Sequence, residues 1–372
     1  MSGVLISYLS IGSGHKVAAN AIANSLEKFY PQKYIKVIDL FAKYNDQLPF
    51  IMEQLQALSI QVAPALYDAI WRQGAPGNIF DRIVGLQPLR ELFLKELTDH
   101  RADLLIATHV LPCRIGLEIK RDHQLIKKVI GVVTDYGIHS FWPTQGMDAY
   151  FVGHEELRNT LVYKGVDPNI VHVTGIPISL GFAKSQDFNK KSGNKLKILL
   201  IAGGVHSGAY INVRQNIKEI IDAIAKFNPN TISLTIITGN QKSLFETLKE
   251  SIHGYSISIN LLGFVDNMAE IMADHDILIT KPGGLIVAEA LSSGLGIILL
   301  KSGPGQELEN ATFLIRHRVA LNGESTENLT KAIQFCLENP NQFNSMRERA
   351  LNLSYPKAAE TISRVILQLV NV

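Results

Sequence analysis

A chain of 372 residues exceeds the usual size of one hydrophobic core, so two domains are expected. With 46% hydrophobic and 19% charged residues and a mean hydropathy of +0.11, the composition is that of a folded globular protein and excludes a disordered one. The net charge of +2 is spread evenly along the chain, which excludes nucleic acid as a partner recognised through charge.

The apolar run from Val4 to Ile11 has no basic residue before it and a glycine turn after it, so it reads as a buried strand and not as a signal peptide. It leads into LSIGSGHKVA, residues 9 to 18, which taken alone is a phosphate cradle, a catalytic loop or a tight turn. GVLISYL, IKVIDL, ADLLIAT, KVIGVVTD and DAYFVG then alternate with helical patterns, which argues for a parallel, doubly wound sheet. Segment 50–97 has a helical period and is rich in exposed-looking Tyr67, Trp71, Phe80 and Phe93. Helices packed on the sheet account for most of these, and a membrane or lipid-acceptor surface for a minority.

Residues 178–196 are polar and rich in Lys, Ser, Asn and Gly, and read as a linker. The rhythm restarts with KLKILLIAGG, TISLTIITG, SISINLLGF, DILITKPGG and LGIILLK. The expected fold class is α/β, with two Rossmann-like doubly wound domains, 1–180 and 181–372, facing each other across a cleft. Ligands then belong at the carboxyl ends of the strands. Cys113 and Cys336 are far apart, lack metal-site spacing and point to a reducing compartment, the cytoplasm. No apolar stretch reaches the roughly 20 residues of a spanning helix, so any membrane contact is expected to be peripheral.

The most informative stretch is ITKPGGLIVAEALSSGLGIILLKSGPGQELENA, residues 279–311. Pro282, Gly283 and Gly284 bring bare backbone N–H groups to the start of a helix, a seat for phosphate. Glu289, further along that helix, suits both hydroxyls of a ribose, and Gln306 with Glu307 offers a donor and acceptor set for sugar hydroxyls.

At this point the sequence resembles glycosyltransferase family 28, and within it the monogalactosyldiacylglycerol synthases and processive diacylglycerol glucosyltransferases. GSGH at 12–15, VTDYGIHSFW at 133–142, VTGIPI at 173–178, TKPGGLIVAEA and PGQELENA carry the likeness, which runs almost end to end. The resemblance implies a GT-B fold with an N-terminal acceptor domain, a C-terminal nucleotide-sugar domain and a last helix, about 356–370, folding back on the first domain. It implies inverting transfer of glucose or galactose from a UDP-hexose to diacylglycerol or its glycosylated form, at the cytoplasmic face of the cell membrane, with the protein bound peripherally.

By residue, the resemblance implies His15 as general base, with Gly12 and Gly14 presenting it on the acceptor side. Gly203 and Gly204 contact the diphosphate or sugar, and Phe264 and Met268 flank the uracil. Lys281, Gly283, Gly284, Leu285 and Ile286 meet the donor phosphates, Glu289 holds the ribose, and Gln306 with Glu307 reads the hexose. Two positions depart from the pattern: Ser179 stands where the family has arginine, shifting the diphosphate's charge balance toward Lys281 and helix ends. Gly296 replaces a proline and is expected to loosen a turn.

Taken singly, His15 is as well a helix cap as a base. Its free pKa of about 6.5 suits it to accept a hydroxyl proton, and a neighbouring carboxylate would raise its basicity. Asp135 either orients that base or binds the acceptor, or else caps the following turn. His109 is a second candidate in the same cleft, and His139 and Trp142 either line the acceptor pocket or pack as an aromatic turn. Asp274-His275-Asp276 spells a metal-binding pattern but falls at the wrong end of its strand, so no metal or other cofactor is expected and helix ends stabilise the departing UDP. A polyprenyl-linked or small-molecule acceptor, a nucleotide-sugar epimerase and a non-catalytic UDP-sugar sensor remain the alternatives.

Overall fold

The computed structural model describes residues 3–10, 12, 14–73, 87–123, 125–183, 195–202 and 213–370. The chain divides into two compact units. The first comprises Met1–Leu180, Pro304–Gln306 and Tyr355–Val372, and the second Gly181–Gly303 and Glu307–Ser354.

In the first unit, β1 (Gly3–Tyr8), β2 (Ile35–Asp39), β3 (Ala102–Ala107), β4 (Lys128–Val132), β5 (Ala149–Val152) and β6 (Val171–Val173) form one sheet in the order β2-β1-β3-β4-β5-β6. Every pairing is parallel. Parallel neighbours need crossover connections, and helices supply them, which is why the central strands are apolar on both faces. Leu5, Ile6, Leu105, Ile106, Val129 and Ile130 are wholly buried, each worth about 1.5–3 kcal/mol against exposure.

Helices that lie between β1 and β3 include α1 (Gly14–Phe29), α2 (Leu40–Tyr44), α3 (Leu48–Val62) and α4 (Pro64–Gln73). Asp39 ends β2 and caps α2, its carboxylate accepting from the Phe41 and Ala42 amides at 3.1 and 3.3 Å. A further helix, Gln87–Asp99, buries Phe93 fully in the core, so that ring contributes nothing to a surface. Tyr67 and Trp71 are half-buried, and Phe80 lies outside the described residues.

The helix Ala358–Val370 belongs to this unit as well. Its Ile362 and Ile366 join Val4, Ile6, Ile22 and Leu26 in one apolar cluster. The Ser363 hydroxyl lies 2.9 Å from that of Ser25 in α1, both buried, and Lys28 pairs with Glu360 at 3.3 Å. Gly175, in the VTGIPI stretch, has φ +82°, and a Cβ there would fall 2.1 Å from the Tyr355 Cβ, so the glycine seats the start of this returning segment.

The second unit repeats the plan with β7 (Leu196–Ile201), β8 (Ile232–Ile237), β9 (Ser258–Leu262), β10 (Ile277–Thr280), β11 (Gly296–Leu299) and β12 (Ala320–Asn322), in the order β12-β11-β10-β7-β8-β9. All pairings are again parallel. Each sheet has a topological switch point, where successive connections depart in opposite directions: between β1 and β3 in the first, and between β7 and β10 in the second. The segments that carry His15 and Pro282-Gly283-Gly284 leave those strands at their carboxyl ends.

Gly296 does not loosen a turn. It opens β11, its amide donates to the Asp276 carbonyl at 2.9 Å, and a Cβ would fall 2.3 Å from the Phe343 ring. Proline has no proton to give there and no room for its ring.

Candidate functional site

His15 lies in the first turn of α1, which begins at Gly14. Just before it Gly12 takes φ +78°, a conformation that glycine adopts without strain, and its amide donates to Glu53 Oε1 of α3 at 3.1 Å. The His15 ring is fixed at one nitrogen. Nδ1 lies 2.7 Å from the Thr108 carbonyl oxygen and 3.0 Å from the Thr134 hydroxyl. A carbonyl only accepts, so Nδ1 carries the proton and the neutral ring keeps its lone pair on Nε2.

Thr108 returns the contact, its hydroxyl donating to the His15 carbonyl at 3.0 Å. Both threonines follow a strand directly, Thr108 after β3 and Thr134 just beyond β4, so the sheet itself sets the ring. Burial lowers the His15 pKa, while the Asp135 charge and the bond to Thr108 oppose that shift. The imidazole is therefore neutral at pH 7 and available to accept a proton.

His109 meets His15 edge-on, with ring centroids 5.0 Å apart. Its Nδ1 accepts from the Leu111 amide at 3.1 Å, capping the helix Val110–His123. Burial, and then the neighbouring His15 and His139, hold its pKa well below the usual value. His139 is treated similarly: Nδ1 accepts from the Phe141 amide at 3.2 Å, and burial takes its pKa down to about 3. Trp71 of α4 packs on it at 4.5 Å between ring centroids. Trp142 lies in the core beside Tyr150, so its ring packs the interior.

In the second unit Lys281, Pro282 and Gly283 follow β10, and Gly284 begins the helix Gly284–Ser292. Gly283 has an ordinary φ of −71°, and a Cβ there would meet only Ile286, at 3.6 Å. The fold therefore does not require glycine at 283; what its bareness leaves is an open helix N-terminus without a side-chain cap. The buried Asn310 donates to the Pro282 carbonyl at 2.9 Å and fixes this loop. Leu285 and Ile286 fill the first turn, both half-buried.

Burial pushes Lys281 down to about 8, opposed by the nearby Glu307 charge, and pushes Glu289, in the middle of the helix, up to about 8. Glu307 also accepts from the Gly303 amide at 2.7 Å, so this carboxylate shapes the loop Lys301–Gly305 and faces Lys281 together. Gln306 falls within the first unit, where its Oε1 accepts from the Tyr67 hydroxyl at 3.3 Å. Phe264 is exposed just past the end of β9, and Met268 opens the helix Met268–Ala273. Ser179 is an exposed loop residue, and Gly203 and Gly204 lie outside the described residues.

Asp274, His275 and Asp276 are each engaged at the amino end of β10. Asp276 accepts from the Lys197 amide at 2.9 Å and pairs with Arg347, Asp274 binds the Lys197 ammonium at 2.8 Å, and His275 bonds the Ile271 carbonyl and the Thr235 hydroxyl. Among the described residues no three His, Cys, Asp or Glu side chains are placed to hold a metal. Cys113 and Cys336 are buried and unbridged, and no described helix is long and apolar enough to cross a membrane.

The sequence did not single out Thr108, Thr134, Glu53 or Asn310. Thr108 had one available signal, its position immediately after an apolar strand, whereas Thr134 stands inside the quoted VTDYGIHSFW stretch and Asn310 inside PGQELENA.

The family model of monogalactosyldiacylglycerol synthase matches residues 15–178, and that of the glycosyltransferase family 28 C-terminal domain matches 198–362. The processive diacylglycerol beta-glucosyltransferase of Bacillus pumilus is 27% identical over 98% of this chain and 94% of its own length. Among solved structures, MurG of Acinetobacter baumannii superposes with a TM-score of 0.63 at 15% identity, over 99% of this chain and all 100% of that one. The UDP-GlcNAc 2-epimerase of Neisseria meningitidis, bound to UDP-GlcNAc, gives 0.63 at 16% identity over 99% and 100%. Transferases and epimerases thus share this fold, and the matching family models separate them: the chain belongs to glycosyltransferase family 28, with an N-terminal half of the monogalactosyldiacylglycerol synthase kind, and is a hexosyltransferase of the GT-B fold.

Proposed function

We propose that this chain transfers a glucose or galactose from its UDP-sugar to diacylglycerol or a glycosyl-diacylglycerol, with inversion at the anomeric carbon. The observation that carries the reading is the Thr108 carbonyl on His15 Nδ1, which leaves a neutral imidazole with its Nε2 lone pair available as a base. The acceptor hydroxyl gives its proton to Nε2 as its oxygen bonds to the anomeric carbon. The bond from that carbon to the diphosphate oxygen breaks on the opposite face, and UDP departs with the electron pair.

The second unit grips the donor in this reading. The open N-terminus at Gly283 and Gly284, with Lys281, balances the charge growing on the diphosphate, and Leu285 and Ile286 complete that first turn. Glu289 accepts the ribose hydroxyls, Phe264 and Met268 flank the uracil, and Gln306 with Glu307 reads the hexose. The reading assigns no metal or cofactor a role; Asp274 and Asp276 are committed to Lys197 and Arg347. The acceptor class follows from the name of the Bacillus pumilus relative. With a lipid as acceptor, the reading includes peripheral work on the inner face of the cell membrane.

The test is incubation of purified protein with radiolabelled UDP-glucose or UDP-galactose and dispersed diacylglycerol. Label entering the organic phase with wild type, and not with His15→Ala, is the expected result. Label only in a free or epimerised sugar, without acceptor, overturns the reading.

A further inference from the structure

Three residues, Pro304–Gln306, belong to the first unit, although the chain on either side of them, at Gly303 and Glu307, belongs to the second. What holds them is one face of α4. Tyr67 and Asp68 precede Trp71 by four and three residues, which puts all three on one side of the helix, half-buried, while Leu66, Ala69 and Arg72 are exposed. Gly305 sits against that face. It is buried, has φ +76°, and a Cβ there would fall 2.9 Å from the Tyr67 ring and 3.3 Å from that of Trp71. Glycine meets both demands, the left-handed backbone and the close approach, without strain. Its amide donates to Asp68 Oδ1 at 3.2 Å, while Asp68 Oδ2 takes the Arg72 Nε at 2.9 Å, so each carboxylate oxygen has its own donor.

The next residue, Gln306, is set by a relay of hydrogen bonds. Gln56 of α3 donates from Nε2 to the Tyr67 hydroxyl at 2.9 Å, and that hydroxyl donates to Gln306 Oε1 at 3.3 Å. The amide oxygen is thus occupied, whereas Gln306 Nε2 has no partner among the described residues. An amide held by its oxygen presents its two N–H bonds on the other side, and turning it over breaks the contact that holds it. Glu307 is held separately, by the Gly303 amide at 2.7 Å. The same face of α4 continues to the histidine side of the first unit: the Trp71 ring packs on His139, and its carbonyl accepts from the Ser140 amide at 3.2 Å.

We propose that Tyr67 and Asp68 are positioning residues for recognition of the donor sugar: α4 fixes Gln306 as a hydrogen-bond donor toward a hexose hydroxyl, so that the choice of hexose is set in part from the first unit. The inference rests on the reading above, in which Gln306 meets the hexose. Glucose and galactose differ only in the direction of the C4 hydroxyl. An amide whose donor side is held in one place favours one of them by about one hydrogen bond, whereas an amide free to turn over serves either. Asp68 holds the backbone of the loop at Gly305, Tyr67 holds the side chain that follows it, and Gly305 lets the two contacts be made together.

The test is calorimetric titration of UDP, UDP-glucose and UDP-galactose into the full chain, as wild type, Tyr67→Phe, Asp68→Ala, Gln306→Ala and the double variant Tyr67→Phe/Gln306→Ala, with thermal unfolding of each recorded. Wild type should bind one UDP-hexose more tightly than the other. Tyr67→Phe and Asp68→Ala should each reduce that preference by about threefold to tenfold, the size of one neutral hydrogen bond, and leave the affinity for UDP itself unchanged. Because Tyr67 acts through Gln306, adding Tyr67→Phe to Gln306→Ala should cost nothing further. A lowered unfolding transition with equal losses for all three ligands marks a merely structural role and overturns the proposal. Equal binding of both hexoses by wild type overturns it as well. A preference kept in Tyr67→Phe but lost in Gln306→Ala overturns the role of α4 and leaves Gln306 as the reader of the hexose. A preference kept in both variants overturns the assignment of Gln306, and the proposal with it. Binding needs no acceptor, so every arm reads the same whichever acceptor the enzyme uses.

Discussion

Thr108 and His15 hold each other twice: the ring Nδ1 donates to the Thr108 carbonyl at 2.7 Å, and the Thr108 hydroxyl donates to the His15 carbonyl at 3.0 Å. The first contact sets which nitrogen is basic, and the second fixes the turn on which the ring stands.

The two contacts predict different losses. His15→Ala removes the base and should lower kcat by about 10²–10⁴-fold, the usual range for general-base removal. Thr108→Val keeps the carbonyl and loses only the hydroxyl bond, so kcat should fall by about threefold to tenfold, in line with one neutral hydrogen bond. The donor KM should not move in either variant. Steady-state kinetics with varied UDP-sugar checks this, and a large rise in KM for Thr108→Val would place the threonine in donor binding.

The acid limb of the pH profile follows from the sign of the His15 shift. Its pKa lies below 6.5 because burial disfavours the charged ring, so the basic form persists as pH falls and activity is lost only below that value. Asp135 opposes the shift through its negative charge. Asp135→Asn should therefore move the acid limb of kcat/KM further down in pH and lower the plateau, because the weaker base accepts a proton less readily. A limb that stayed in place would separate Asp135 from the histidine.

The donor site predicts a peak in UDP affinity near pH 8. In the donor site proposed above, Glu289 holds a proton below about 8 and would have to lose it to accept two ribose hydroxyls, so binding should strengthen as pH rises. Above about 8, Lys281 gives up the charge that the proposal sets against the diphosphate, so binding should weaken. Calorimetric titration of UDP from pH 6 to 10 should trace this maximum, a range that spans roughly two units either side of the shifted groups. Glu289→Gln should abolish the rising limb and Lys281→Met the falling one. A flat profile in wild type would detach both residues from the nucleotide.

Gly296→Pro, which restores the residue expected in the family pattern, should destabilise the protein. It removes the amide that donates to Asp276 and drives ring atoms into Phe343, at a cost of about 3 kcal/mol or more. Scanning calorimetry should register a fall of roughly 6–12 °C in the transition of the second unit.

The two parallel sheets and the glycine loop before the Gly284 helix were readable from period and punctuation, since buried parallel strands appear as short β-branched runs whatever surrounds them. The partners of His15 were not readable in the same way. Thr108 and Thr134 reach it only because β1, β3 and β4 are consecutive in the sheet, an order that local pattern does not encode. Glu53 joins the glycine loop across a separation that likewise depends on the fold. The aromatic residues of segment 50–97 do not form one surface: Phe93 is interior, and the exposed large side chains of α3 are mostly aliphatic, Ile51, Leu55, Leu58 and Val62, with Phe50. Gly296 was misjudged because a glycine after a helix resembles a turn, whereas its neighbours in space are a ring and a backbone carbonyl.

Because the helix Ala358–Val370 is part of the first unit's interior, that unit lacks a wall until the second unit has been synthesised. Ile362 and Ile366 arrive after every residue of the second unit has been made, and until then Ile22 and Leu26 of α1 have no cover on that side. The helix that begins at Gly14 and bears His15 thus gains its full packing only after the second unit, although its own residues precede that unit. A chain cut short before Ala358 would carry His15 without its finished support, which ties the packing of α1 to translation of the whole second unit.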